Sequence, residues 1–222
     1  LLPNAKVYIS DPSWENHRAL FESAGFTVES YPYYDSVTRG VNFDGMKACL
    51  NSLPAGSIIV LHACCHNPTG ADISEAQWRE VIEIIKARGL VGFLDMAYQG
   101  FADGIAEDAS ALNLFAASGL QFVVSSSFSK SFSLYGERVG ALSIVTGSKD
   151  ESARVMSQIK RTIRTNYSNP PTHGGSVVAA VLSSPELRNL WETELAGMRD
   201  RIRIMRQSFV DKLQNKGVSQ DF

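Results

Sequence analysis

The sequence predicts an α/β fold, a mostly parallel sheet flanked by helices. Three observations carry that reading. Short apolar runs alternate along the chain with segments whose apolar residues recur at helical spacing. The clearest run, Ser-Ile-Ile-Val-Leu-His-Ala at 57–63, is rich in β-branched residues, as a buried strand requires. Hydrophobic residues make up 44% of the 222, enough for a sizeable core.

Residues 6–10 read as the first strand. Asp11 or Ser13 is placed to cap a helix to about residue 23, which Gly25 stops. A strand at 26–31, a polar turn at 35–40 and a short helix at 44–51 follow. After the strand at 57–63, Asn67-Pro68-Thr69-Gly70 breaks the pattern. Ser74 and Gln77 form a capping box, and the helix behind them runs to Arg88 before Gly89. Its Trp78, Val81, Ile82 and Ile85 fall on one face. A strand at 90–97, a helix at 106–118 and strands at 121–126 and 139–145 complete the alternation. From about residue 150 the chain is mostly helical, interrupted by Pro170-Pro171. The last helix spans about 185–215, and its many charges read as a solvated face.

Charge and composition remove several classes of function. The chain has 21 basic and 23 acidic residues, net −2, which argues against a strongly basic nucleic-acid binder or a polybasic membrane-surface protein. No apolar run approaches the roughly 20 residues of a membrane helix. Three cysteines are too few for a disulfide scaffold and fit a reducing, cytoplasmic compartment. Cys64 and Cys65 are expected within one strand, pointing to opposite faces. With His62 and His66 they suggest zinc, but no second ligand pair follows, so no metal is expected. The chain starts at Leu1 without a signal-peptide pattern and ends on Gln220-Asp221-Phe222, where a strand could begin. It reads as an internal piece of a longer protein.

In a parallel sheet the C-terminal strand ends share one edge, where ligands bind. Three strands deliver chemistry there. The first is followed by Asn67, the second carries Asp95 and then Tyr98, and the third leads to Ser127, Ser129 and Lys130, with Arg138 eight residues on. A lysine among serines can form a Schiff base. Two hydroxyls and an arginine can hold a phosphate. Asp95 lies in an apolar strand and needs a cationic or protonated partner, which a pyridine nitrogen would supply. Amine, phosphate clamp and carboxylate together are the handles of pyridoxal 5′-phosphate.

Ser127-Phe-Ser-Lys130-Ser-Phe-Ser-Leu-Tyr-Gly-Glu-Arg138-Val-Gly140 resembles the lysine signature of the class I pyridoxal-phosphate-dependent aminotransferases. His66-Asn-Pro-Thr-Gly70, Asp95-Met-Ala-Tyr98-Gln-Gly-Phe101 and Tyr167-Ser-Asn-Pro-Pro171 resemble three further motifs, in the same order. The resemblance covers the whole chain and is strongest toward the bacterial aspartate and aromatic amino acid branches. It implies fold type I of the pyridoxal-phosphate-dependent transferases. Residues 1–184 would form most of the large cofactor-binding domain, and 185–222 a long helix leading toward a small domain outside the chain. It also implies a homodimer with shared active sites.

The same resemblance implies a role for each residue. Lys130 would be the Schiff-base lysine and proton shuttle. Asp95 would keep the pyridine nitrogen protonated. Tyr98 and Asn67 would bind the ring's phenolic oxygen, and Ser127, Ser129 and Arg138 the phosphate. Trp14 would pack at the ring and touch substrate, and Asn67 would help seat the substrate α-carboxylate. Arg164 would reach the partner subunit's site and pair with a distal carboxylate. His17 and His62 would stand behind Asp95. The implied reaction is ping-pong transamination between an aromatic or dicarboxylic amino acid and 2-oxoglutarate, leaning to the aromatic branch with aspartate as the alternative. Lys130 and Asp95 would serve a lyase or decarboxylase on the same fold equally well; the other alternative is a non-catalytic fragment that folds or pairs with a partner chain without binding cofactor.

Overall fold

A computed structural model of the chain describes residues 5–219. The Gln220-Asp221-Phe222 end, read above as the start of a strand, lies outside the described residues. The elements run β1 (Lys6–Asp11), α1 (Glu15–Ser23), β2 (Thr27–Pro32), β3 (Tyr34–Asp35), β4 (Gly40–Val41), α2 (Phe43–Ser52), β5 (Ile58–His62), α3 (Glu75–Arg88) and β6 (Val91–Met96). Then come α4 (Ser110–Ala117), β7 (Phe122–Ser127), β8 (Gly140–Val145), α5 (Lys149–Asn166), α6 (His173–Ser183) and α7 (Pro185–Asn215).

Six strands form one sheet in the order β2-β1-β5-β6-β7-β8. Its first five strands pair in parallel, and β8 joins β7 antiparallel. This is the mostly parallel sheet the alternation predicts. Strand side chains alternate between the two faces. Tyr8, Ile59, Leu61, Leu94, Met96 and Val124 are buried with α2, α3 and α4. Val7, Ile9, Val28 and Val60 are buried on the other face, with Phe21, Phe26 and Phe93 packed against them. At the far end β8 is exposed, with Leu142 57% and Val145 37% accessible.

The helix signals hold at α3. Its Ser74–Gln77 capping box closes both ways, and Gly89 ends it in the left-handed conformation at φ +63°. They fail at α1, where Trp14 is the N-cap residue and no side chain caps the helix. Ser13 instead turns its hydroxyl to a histidine, as described below. The helix expected at 106–118 begins only at Ser110, because Asp108 is committed to the preceding loop. The 64–65 pair does not extend β5. The strand ends at His62, and Cys65 has φ +50°.

Candidate active site

The register builds the floor of the site. His62 pairs with Asp95 across β5 and β6, and Asp95 pairs with Ser125 across β6 and β7. Paired residues of parallel strands share a face, so these three polar side chains form a row on the side covered by α1. His17 drops onto that row from α1. Its Nε2 lies 2.8 Å from Asp95 Oδ2, and Ser13 Oγ lies 2.9 Å from its Nδ1. Ser125 Oγ donates to Asp95 Oδ1 at 3.3 Å.

Burial is the largest single influence on the Asp95 carboxyl and raises its pKa. The His17 hydrogen bond and charge, His62 and Ser125 together outweigh it, and the carboxyl ends below its ordinary value. Asp95 is thereby kept as an anion. His62 is 8% exposed, and neither ring nitrogen has a hydrogen-bond partner among the described residues. Burial, then the neighbouring His17, push its pKa down to about 4, against the pull of Asp95.

A cavity of about 300 Å³ opens above this floor. Loops at the strand ends supply its walls: Asn67 after β5, Tyr98 after β6, and Ser127, Ser129, Lys130 and Arg138 around and after β7. Trp14, at the start of α1, and His62 and Asp95 complete the set. The Lys130 ammonium sits 4.8 Å from the Tyr98 ring centroid, a cation–π contact. Arg138 has φ +53°, and its Nη1 donates to the Tyr135 carbonyl at 2.9 Å. The Ser129 amide donates to Ser127 Oγ at 3.2 Å, which folds the serine turn.

Ten of the eleven residues singled out in the sequence thus meet in or under one cavity. Arg164 does not. It lies in the last turn of α5, hydrogen-bonded to Ser168 and exposed. Cys64 and Tyr135 also line the cavity and had no assigned role.

Other side chains stand behind the walls. His66 is buried, with Nε2 2.8 Å from Ser10 Oγ and Nδ1 2.8 Å from Thr69 Oγ1, and it stacks on Tyr33 at 3.9 Å. Burial, then His62 and His17, lower its pKa to about 3. Asp72 accepts the amides of Cys65 and His66, both at 2.7 Å, and so shapes the turn that presents Asn67. The charges of α7 are not all solvated. Arg199 Nη1 donates to the Gly100 carbonyl at 2.9 Å, and Arg203 reaches Asp103 at 2.7 Å. On the far side of Asn67 and Tyr98 a larger groove of about 770 Å³ runs to α7, where Arg203 and Arg206 line it.

Residues 1–220 match the family model described as aminotransferase class I and II. The chain belongs to the class I and II aminotransferase family. A curated relative, the aspartate aminotransferase of Pseudomonas aeruginosa, is 68% identical over 222 residues, covering 100% of this chain and 56% of the relative. The aromatic-amino-acid aminotransferase of Escherichia coli is 52% identical over 220 residues, 99% of this chain and 55% of that one. Among solved structures, the aromatic-amino-acid aminotransferase of Burkholderia pseudomallei, covalently bound to pyridoxal phosphate, matches with a TM-score of 0.97 at 68% identity. That match covers 99% of this chain and 55% of the other. The chain therefore spans about half the length of these aminotransferases. Among its described residues no helix is long and apolar enough to cross a membrane.

Proposed function

We propose that the protein is a pyridoxal-phosphate-dependent aminotransferase that passes the amino group of an aromatic or dicarboxylic L-amino acid to 2-oxoglutarate. One observation carries the reading. A single cavity gathers an amine (Lys130), an ionised carboxylate (Asp95), two hydroxyls with a guanidinium (Ser127, Ser129, Arg138), and a phenol with an amide (Tyr98, Asn67). The donor set fits pyridoxal phosphate group by group. When bound, that cofactor supplies an electron sink for the negative charge that develops at the substrate α-carbon.

The chain's residues have distinct tasks in this reading. Asp95, kept ionised by His17, holds a proton on the ring nitrogen. His62 closes the floor beside it. Tyr98 and Asn67 hydrogen-bond the ring oxygen, and Asn67 also orients the substrate carboxylate. Ser127, Ser129 and Arg138 fix the phosphate by charge-assisted bonds. Trp14 covers the ring. The Lys130 amine would anchor the cofactor and, once freed, would carry the proton between the substrate α-carbon and cofactor C4′. Arg164 is exposed and away from the cavity, which suits a residue that serves the partner subunit's site in a homodimer. Residues 1–184 constitute most of the large domain, and 185–222 lead to a small one. The three free cysteines fit a cytoplasmic enzyme.

The preferred donor has two readings. Sequence features lean to the aromatic branch, while the 68%-identical Pseudomonas relative is an aspartate aminotransferase. The deciding experiment is a visible spectrum of the full-length protein with pyridoxal phosphate, before and after adding tyrosine or aspartate. A bound-cofactor band that one amino acid bleaches, with release of its keto acid, supports transamination and identifies the donor. A band with release of carbon dioxide or a small fragment instead would replace transamination by a lyase or decarboxylase. No band would remove the cofactor and the reading with it.

A further inference from the structure

Tyr98 stands where β6 has ended, so the sheet fixes it from one side only. The loop behind it must fix the other side. That loop, residues 99–104, has no regular structure, yet its backbone donors converge on one side chain. Asp108 Oδ2 accepts the amides of Gly100 at 2.7 Å and Ala102 at 3.0 Å. Its Oδ1 accepts those of Asp103 at 2.9 Å and Gly104 at 3.3 Å. Asp108 is 6% exposed and lies outside the cavity lining.

Neighbouring contacts tighten the same loop. The Tyr98 carbonyl accepts the Phe101 amide at 3.0 Å, and Gln99 Nε2 donates to the Ile105 carbonyl at 2.9 Å. From outside, Arg199 of α7 holds the Gly100 carbonyl. Gly100 has φ +94°, and a Cβ there would come within 2.4 Å of Leu195. The loop is thus pressed between Asp108 and α7.

We infer that Asp108 is a positioning residue: by gathering four backbone N–H groups it sets the loop that aims the Tyr98 phenol into the cavity. This rests on the proposed function only for what the phenol then does. An ionised carboxylate has about four acceptor sites on two oxygens, enough for all four donors. A carboxamide of the same shape accepts on one oxygen and turns an NH2 toward the remaining donors, so it releases half of the set.

The test is Asp108→Asn in the full-length protein, alone and combined with Tyr98→Phe. The readout is the pH midpoint of the bound-cofactor band. A phenol that donates to the ring oxygen favours its ionised form, so a misplaced phenol raises the midpoint. Asp108→Asn should raise it by about one pH unit when Tyr98 is present and leave it unchanged in the Tyr98→Phe background. Equal shifts in both backgrounds, or none in either, would overturn the inference.

A protein that binds no pyridoxal phosphate would defeat the proposed function, and amide hydrogen exchange then judges Asp108. The Gly100, Ala102, Asp103 and Gly104 amides should exchange at least about tenfold faster in Asp108→Asn, with β5 and β6 unchanged. Equal rates would refute the role. Should the variant fail to fold, exchange in the unaltered protein decides. Those four amides must be protected like those of β6, and rapid exchange would overturn the assignment.

Discussion

His17 Nε2 lies 2.8 Å from Asp95 Oδ2, a contact between residues 78 positions apart. The histidine is held from behind by Ser13, and the carboxylate from the side by Ser125. This arrangement, with His62, holds the Asp95 carboxyl below its ordinary pKa, although burial alone drives it the other way. Replacing His17 with Phe should therefore raise the Asp95 midpoint. Carbon-13 NMR of the labelled Asp95 carboxyl reads this directly, and an unmoved midpoint would make another group responsible.

The buried histidines set an acid limit on stability. Free in the unfolded chain, a histidine titrates near 6.5. In the fold, His62 is lowered to about 4 and His66 to about 3. Above pH 6.5 neither state binds the proton, and the histidines do not bear on the balance. As pH falls below that value the unfolded chain takes protons that the fold refuses, and stability drops by up to about 1.4 kcal/mol per pH unit for each histidine. The loss continues until the folded values are passed. The lowered Asp95 acts in the same direction at lower pH, since the unfolded carboxyl protonates first. Urea midpoints measured from pH 7.5 to 4 should fall steadily below about 6.5, and less steeply in His62→Leu.

In the proposed function Lys130 would anchor the cofactor and Asp95 would tune it, and two variants separate these tasks. In the full-length protein, Lys130→Ala should abolish both turnover and the covalent link, measured by mass spectrometry after borohydride reduction. Asp95→Ala should leave cofactor bound and reduce kcat by at least about 100-fold, since it would remove the anion proposed to keep the ring nitrogen protonated. Normal turnover in either variant would remove that residue from the mechanism.

Trp191 ties α7 to the turn after Lys130. Its Nε1 donates to the Ser131 carbonyl at 2.7 Å, and its ring stacks on Phe132 at 4.5 Å. Trp191→Phe keeps the stack and loses the bond, so it should cost about 1 kcal/mol. Trp191→Ala loses both and should cost roughly 3 kcal/mol. Thermal unfolding of the two variants gives the difference, and equal losses would show that the stack contributes nothing.

Most residues of the cavity were legible because they stand in short motifs whose side-chain chemistry is itself a clue, while Trp14 and His62 were reached only through the family resemblance. Lys130 among serines and Asp95 in an apolar strand are the plainest cases. Their supports were not legible. The row of His62, Asp95 and Ser125 exists only through strand register, which no single segment contains. Ser13 looks like a helix cap and is one by composition alone, since His17 takes its hydroxyl. Asp72 and Asp108 look like surface acids, yet each closes a loop through backbone amides. A carboxylate a few residues beyond a Gly-rich turn is the one local hint of that. The arginines of α7 share a helix with many solvated charges, so which ones turn inward depends on the loop at 100–103 they meet.

The antiparallel strand β8 has a consequence for handling the chain by itself. It hydrogen-bonds to β7 on one edge and, among the described residues, to no strand on the other. Its outward row of amides and carbonyls, flanked by accessible Leu142 and Val145, is a template for another strand. Expressed as these 222 residues, the chain should self-associate through that edge in a concentration-dependent way. A lysine at position 142 should raise the concentration at which light scattering begins, by placing like charges wherever two such edges meet.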